Sequence, residues 1–194
     1  MGAPVAKLYF RHGTMGSAKT LNLLAVAHNY KSQGKRVLLL KPRLDVRFGA
    51  AEITSRAGLS AEADVLVDEQ TVLDPAQFEG LSCVLVDEAQ FLAPSLVEQL
   101  RRLTRRPGVP VICYGLRTDF RTRLFAGSQR LMELADSVEE VKVTCQFCNR
   151  KAIFNLRTVD GTPTFEGAQV MLGAEESYAP VCHQCFEQRL PGAI

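Results

Sequence analysis

The sequence predicts an α/β fold: a P-loop parallel sheet with flanking helices, followed by a small C-terminal domain pinned by cysteines. Three observations carry this. An apolar segment, Val5 to Arg11, runs into a glycine-rich loop that ends in Lys19-Thr20 and opens a helix. Cys83–Val86 and Val109–Tyr114 are near-continuous apolar runs, the pattern of strands covered on both faces. Cys145, Cys148, Cys182 and Cys185 form two CxxC pairs late in the chain.

The elements follow in order. Val5 to Arg11 reads as the first strand and His12 to Thr20 as its loop. Leu21, Leu24, Ala25 and His28 repeat with helical spacing, and that helix stops near Gly34. Val37–Leu40 is the next buried strand, which completes a βαβ unit with a right-handed crossover. Residues 42–80 carry Pro42, Gly49, Gly58 and Pro75 and read as loops with short strands, one near Ala63–Val67. The Cys83–Val86 strand ends in Asp87-Glu88. Pro94 opens a helix that carries Leu96, Leu100 and Leu103. After the Val109–Tyr114 strand, Gly115 to Phe125 is a loop and Ser128–Ala135 a short helix. Beyond residue 138 helices become scarce, and residues 158–177 read as a long loop between short strands. The division expected is 1–140 for the sheet and 141–194 for the cysteine-pinned part.

Composition removes several classes. With 46% hydrophobic and 23% charged residues, the 194-residue chain is ordinary globular protein, not a disordered one. A net charge of +2 gives no support to a duplex-binding basic face. No apolar run approaches the ~18–20 residues that span a bilayer. The first ten residues lack a basic and apolar leader, so a cytoplasmic location is expected and secretion is not. Arg101, Arg102, Arg105 and Arg106 read as a solvated face or a subunit contact.

Gly13-Thr14-Met15-Gly16-Ser17-Ala18-Lys19-Thr20 fits G-x-x-x-x-G-K-[ST] except that Ala18 stands for the second Gly. Successive backbone amides and the helix N-terminus would hold phosphate. Lys19 would reach the β- and γ-phosphates and Thr20 would ligate Mg²⁺. If position 18 needs a positive φ, alanine costs energy there that glycine does not. Asp87-Glu88, at the C-terminal end of a buried strand, lies where open α/β sheets bind ligands. Asp87 suits Mg²⁺, and Glu88 suits a base that activates water in a hydrolase or an acceptor hydroxyl in a kinase. A plain acidic helix start is the bland reading of that pair.

The two CxxC pairs are separated by 33 residues, counted from 182 − 148 − 1. Four thiolates suit a closed, tetrahedral structural Zn²⁺ and leave no open position for metal catalysis. Disulfides are the competing reading, and a reducing compartment would not keep them. Cys83 and Cys113 lie within apolar strands and read as buried free thiols. Phe91, Phe120, Phe125 and Tyr178 fall at loop ends. Singly each is ordinary core; together they would line a crevice for a flat base.

These residues resemble the type II, zinc-containing thymidine kinases over nearly the whole chain. Asp87-Glu88-Ala89-Gln90-Phe91 is similar to that family's D-E-x-Q-F signature, and Leu44-Asp45-Val46-Arg47-Phe48 to its [IL]-D-x-R-[FY] segment. Gly115 through Arg121 resembles G-L-x-x-D-F-R, and Val170-Met171-Leu172-Gly173 through Tyr178 and Cys182 resembles V-x-I-G-G…Y…C. The resemblance implies transfer of the γ-phosphoryl group of ATP to the 5′-hydroxyl of thymidine, with Glu88 as base. It implies that Gly13 to Thr20, Asp45, Arg47, Asp87 and Gln90 hold ATP and Mg²⁺. The C-terminal domain would then be zinc-binding and carry a substrate lasso, Arg157 to Ser177. In it, the backbone at Gln169, Val170, Met171, Leu172 and Gly173 would hydrogen-bond thymine. Phe91, Leu116, Phe120, Phe125 and Tyr178 would surround the base, with Met15 at its methyl edge. A homotetramer and feedback inhibition by thymidine triphosphate are implied as well, with neither nucleic acid nor membrane as partner. Ala18 and Ala174 depart from the family's glycines. A zinc-ribbon, nucleic-acid-stimulated P-loop ATPase is the alternative; it explains the loop, the acidic pair and the cysteines but not the aromatic positions.

Overall fold

A computed structural model describes residues 6–45, 49, 51–169 and 178–193. Six parallel strands form the main sheet: β1 (Leu8–Gly13), β2 (Val37–Pro42), β5 (Val65–Val67), β6 (Cys83–Val86), β7 (Val111–Leu116) and β8 (Ser137–Glu140). Their order is β5-β2-β6-β7-β1-β8. Strand alternation divides their side chains between two cores. Leu8, Phe10, Leu40, Val84, Val86, Val111 and Cys113 face α2 (Pro94–Leu103) and α3 (Ala126–Leu134). Leu39, Leu85, Ile112 and Tyr114 face α1 (Lys19–Ser32) on the other side. Both faces are covered, which is why these strands read as continuous apolar runs.

The predicted short strand near Ala63–Val67 is β5, paired in parallel with β2. One element lies outside the sequence expectation, and two of the short strands expected within residues 42–80 pair as a hairpin. β8 adds a sixth strand beside β1, with Tyr9 opposite Ser137 and His12 opposite Glu140. Its residues are mostly polar and half exposed, as an edge permits, so it carries no buried-strand signal. Within residues 42–80, β3 (Glu52–Thr54) and β4 (Ser60–Glu62) make an antiparallel hairpin. Ile53 is its buried anchor, packed with Leu39 and Leu85.

A second sheet holds β9 (Phe154–Val159) between β10 (Thr162–Thr164) and β11 (Tyr178–Val181), all antiparallel. The short helix α4 (His183–Glu187) follows. Leu156, Val181 and Phe186 pack there with Cys145, Cys182 and Cys185. The core is small, and half of its buried members are cysteines. Arg101 on α2 pairs with Asp136, which also accepts the Leu8 N–H at 2.8 Å, so one member of the basic run is a structural tie. No helix among the described residues is long and apolar enough to cross a membrane.

Candidate active site

The phosphate loop connects β1 to α1 at the C-terminal edge of the sheet. Gly16 (φ +74°) and Ala18 (φ 60°, ψ 26°) are both left-handed. The alanine thus sits in the conformation that favours glycine, at a cost of about 1–2 kcal/mol. Ala18→Gly should relieve it, less the entropy glycine returns to the unfolded chain. The expected result is a rise in Tm of about 1–3 °C; a fall would show that this backbone is not strained. The Lys19 ammonium is buried and donates to the Thr14 carbonyl at 2.7 Å and to Ser17 Oγ at 3.2 Å. It therefore closes the loop on itself.

Thr20 Oγ1 lies 3.3 Å from each carboxylate oxygen of Asp87, which reaches it from the end of β6. The strand between β1 and β6 is β7, so two non-adjacent strands and one helix start meet at this contact. Glu88 follows with a left-handed backbone (φ 48°). Such strain at a non-glycine residue persists only where its surroundings enforce it. Here Gln90 does so. Its Nε2 donates to Glu88 Oε2 at 2.5 Å, and its Oε1 accepts the Leu116 N–H at 2.9 Å. Gly115 allows that approach, since a Cβ there would stand 2.8 Å from Gln90 Oε1.

A cleft of about 330 Å³ opens over this edge. Met15 to Leu21, Asp45, Asp87, Glu88 and Leu116 line it, as does the β3–β4 hairpin through Arg56. Asp45 is buried against the Lys41 ammonium, 3.3 Å away. Lys41 also donates to the carbonyls of Gly49 and Glu52, at 3.2 and 2.5 Å. Lys41 thereby fixes both Asp45 and the hairpin base. Sequence reading missed it, because a lysine in a buried strand looks like an interruption.

The aromatic positions divide into two groups. Phe91 and Phe125 meet edge to face at 5.7 Å. Phe120 contacts Phe165 and Tyr178, each at 6.4 Å between ring centres, and lies under the Arg157 guanidinium at 4.9 Å. Asp119, the acidic residue of the G-L-x-x-D-F-R segment, to which the sequence assigned no role, accepts the N–H groups of Arg121 and Arg123 and receives Gln169 Nε2 at 3.0 Å. Arg121 donates to the carbonyls of Phe165 and Gly167. The loop after β7 thus holds the base of the long C-terminal loop. Arg47, Val170, Met171, Leu172, Gly173 and Ala174 lie outside the described residues.

The ligand sulfurs of Cys145, Cys148, Cys182 and Cys185 lie within 4.8 Å of one another, with Cys148 and Cys182 3.6 Å apart. Tetrahedral Zn–S bonds of about 2.3 Å put sulfurs about 3.8 Å apart, so the set fits zinc. Burial would raise the Cys145 thiol, but hydrogen bonds from its neighbours bring it down to about 6. Burial and the adjoining sulfurs push Cys185 up to about 12. A divalent cation ends that competition by holding all four as thiolates. His183, between two ligands, is exposed. Burial raises the thiols of Cys83, to about 12, and Cys113, in the sheet core, which leaves them inert.

The family model described as thymidine kinase matches residues 6–186. The thymidine kinase of Lactococcus lactis is 45% identical over 184 residues, 94% of this chain and 97% of that one. That of Lactiplantibacillus plantarum is 44% identical and that of Streptococcus gordonii 43%, each across 94% of this chain and 96% of its own. Among solved structures, the Pif1 helicase of Candida albicans is similar at a TM-score of 0.42 and 14% identity, over 71% of this chain and 36% of that one, a likeness that carries no argument.

Proposed function

The chain belongs to the thymidine kinase family, and from that premise we propose how its own residues move the γ-phosphoryl group of ATP to the 5′-hydroxyl of thymidine. The observation that carries the assignment is the meeting of Thr20 with Asp87, beside Lys19 and next to Glu88, on the floor of one cleft.

Backbone amides of the Gly13–Thr20 loop, apart from that of Met15, which donates to Asn155 Oδ1, cradle the phosphates at the start of α1. Lys19 leaves the Thr14 carbonyl for the β- and γ-phosphate oxygens. Thr20 and Asp87 would hold the Mg²⁺ that travels with ATP, which would offset the charge of the phosphates. Asp45, held by Lys41, supports that site, and Arg47 assists the phosphates. Glu88, aimed by Gln90, accepts the proton of the 5′-hydroxyl as the oxygen attacks phosphorus; the P–O bond to ADP breaks as the new P–O bond forms. Met15, Phe91, Leu116, Phe120, Phe125 and Tyr178 enclose the thymine ring, and the backbone from Gln169 to Gly173 reads its polar edge.

We divide the chain at residues 1–140, the ATP-binding sheet, and 141–194, the zinc-binding part with the substrate lasso. The end of β8 at Glu140 and the separate sheet beyond Phe154 support that division. Zinc is the structural metal of the second part. We place the protein in the cytoplasm, where thiols stay reduced. A homotetramer inhibited by thymidine triphosphate is what the family resemblance adds. The test is acceptor choice: ADP formation from Mg-ATP with thymidine, deoxycytidine, deoxyguanosine or single-stranded DNA. Thymidine should stimulate it most. Stimulation by DNA and not by thymidine would replace this reading with a nucleic-acid-dependent ATPase.

A further inference from the structure

Asn155 lies on β9, in the acceptor half, yet its side chain is buried against the phosphate loop. Its Oδ1 accepts the Met15 N–H at 2.8 Å. Its Nδ2 donates to the Thr118 carbonyl at 3.3 Å. Both ends of one amide are thus used, each on a different functional loop. Met15 lines the ATP cleft. Thr118 precedes Asp119, whose carboxylate holds Gln169 at the base of the long loop. A continuous line runs from that base through Asp119, the 118–119 backbone and Asn155 to the phosphate loop. Thr118, Asp119 and Asn155 in it are buried, where an unmade hydrogen bond costs most.

The geometry also limits what else the joint does. The Met15 amide is turned toward Asn155, so it is held by the acceptor half of the chain. A shift of β9 must therefore move Met15 or leave two buried polar groups without partners. We propose that Asn155 is a positioning residue that couples the two substrates: occupancy of the acceptor side orders the phosphate loop, and bound nucleotide orders the acceptor side. The proposal rests on the assignment of ATP to the phosphate loop and of thymidine to the aromatic residues and the C-terminal loop beside it. Coupling of this kind is reciprocal, so either ligand reports it.

Two substitutions cut different joints. Asn155→Ala removes both bonds. Asn155→Asp is isosteric and keeps an acceptor for Met15, but it sets a carboxylate oxygen against the Thr118 carbonyl. The measurement is thymidine affinity by calorimetry on the full zinc-loaded chain, with and without a non-hydrolysable ATP analogue and Mg²⁺. The unsubstituted protein should bind thymidine about fivefold or more tighter with the analogue present. Both variants should bring that ratio to within about twofold of one, whatever the affinities for each ligand alone. A merely structural role would lower Tm and leave the ratio unchanged, and that result overturns the proposal. So does a ratio of one in the unsubstituted protein when both ligands bind. Failure of thymidine to bind at all would instead remove the functional assignment on which the proposal stands. If Asn155→Ala does not fold, Asn155→Asp alone decides, because it preserves shape.

Discussion

Replacing Glu88 by glutamine should lower kcat for thymidine phosphorylation by about 10²–10⁴-fold, the usual worth of a positioned general base. The substitution isolates basicity. Glutamine has the same length, and its amide oxygen still accepts the hydrogen bond that Gln90 Nε2 donates to Glu88 now, at 2.5 Å. Gln90 is itself anchored by the Leu116 N–H, so that bond can persist in the variant. Nucleotide affinity, supplied by the loop from Gly13 to Thr20, should therefore stay within about threefold, so the loss falls on kcat and not on KM for ATP. Single-turnover kinetics with equilibrium binding of ATP separates the two. Unchanged turnover would reject Glu88 as the base.

Zinc removal should have an effect of comparable size by a different route. The second core offers Leu156, Val181 and Phe186 at its centre, and its other buried members are Cys145, Cys182 and Cys185. So few apolar groups cannot offset the entropy of ordering about 50 residues. Structural zinc contributes ~10–16 kcal/mol of apparent binding energy in small domains, and here that energy would be folding energy. Strong chelation, or Cys182→Ser, should raise amide exchange across β9 and β11 to near the unfolded rate. The main sheet should remain protected, because its two cores contain no zinc ligand. Thymidine phosphorylation should fall at least about 100-fold while ATP still binds. Full protection of β9 after chelation would show that the metal is dispensable.

The phosphate loop was legible because its chemistry demands particular residues at fixed spacing after a strand. Asp87-Glu88 and the CxxC pairs were legible for the same reason. The departure at Ala18 was also visible, and the structure supplies the missing fact, a φ of 60°. What escaped were buried polar residues that act through shape. Lys41 and Asn155 recur with no period, and each takes its meaning from partners far off in sequence or from carbonyl groups; Asp119 stood within the Gly115–Arg121 segment, but its partner Gln169 was not legible. The polar edge strand β8 escaped for a related reason: half exposed, it lacks the apolar run that marked its neighbours. The aromatic positions were readable as a set, but not their separation into a Phe91–Phe125 pair and a Phe120–Phe165–Tyr178 group.

The cleft at the Thr20–Asp87 contact passes phosphate to an acceptor rather than to water. Product stoichiometry tests it most directly: ADP and thymidine monophosphate, quantified together from Mg-ATP and thymidine. One monophosphate is expected for each ADP, with little ADP formed when thymidine is omitted. ADP released with inorganic phosphate, at the same rate with or without thymidine, would contradict it.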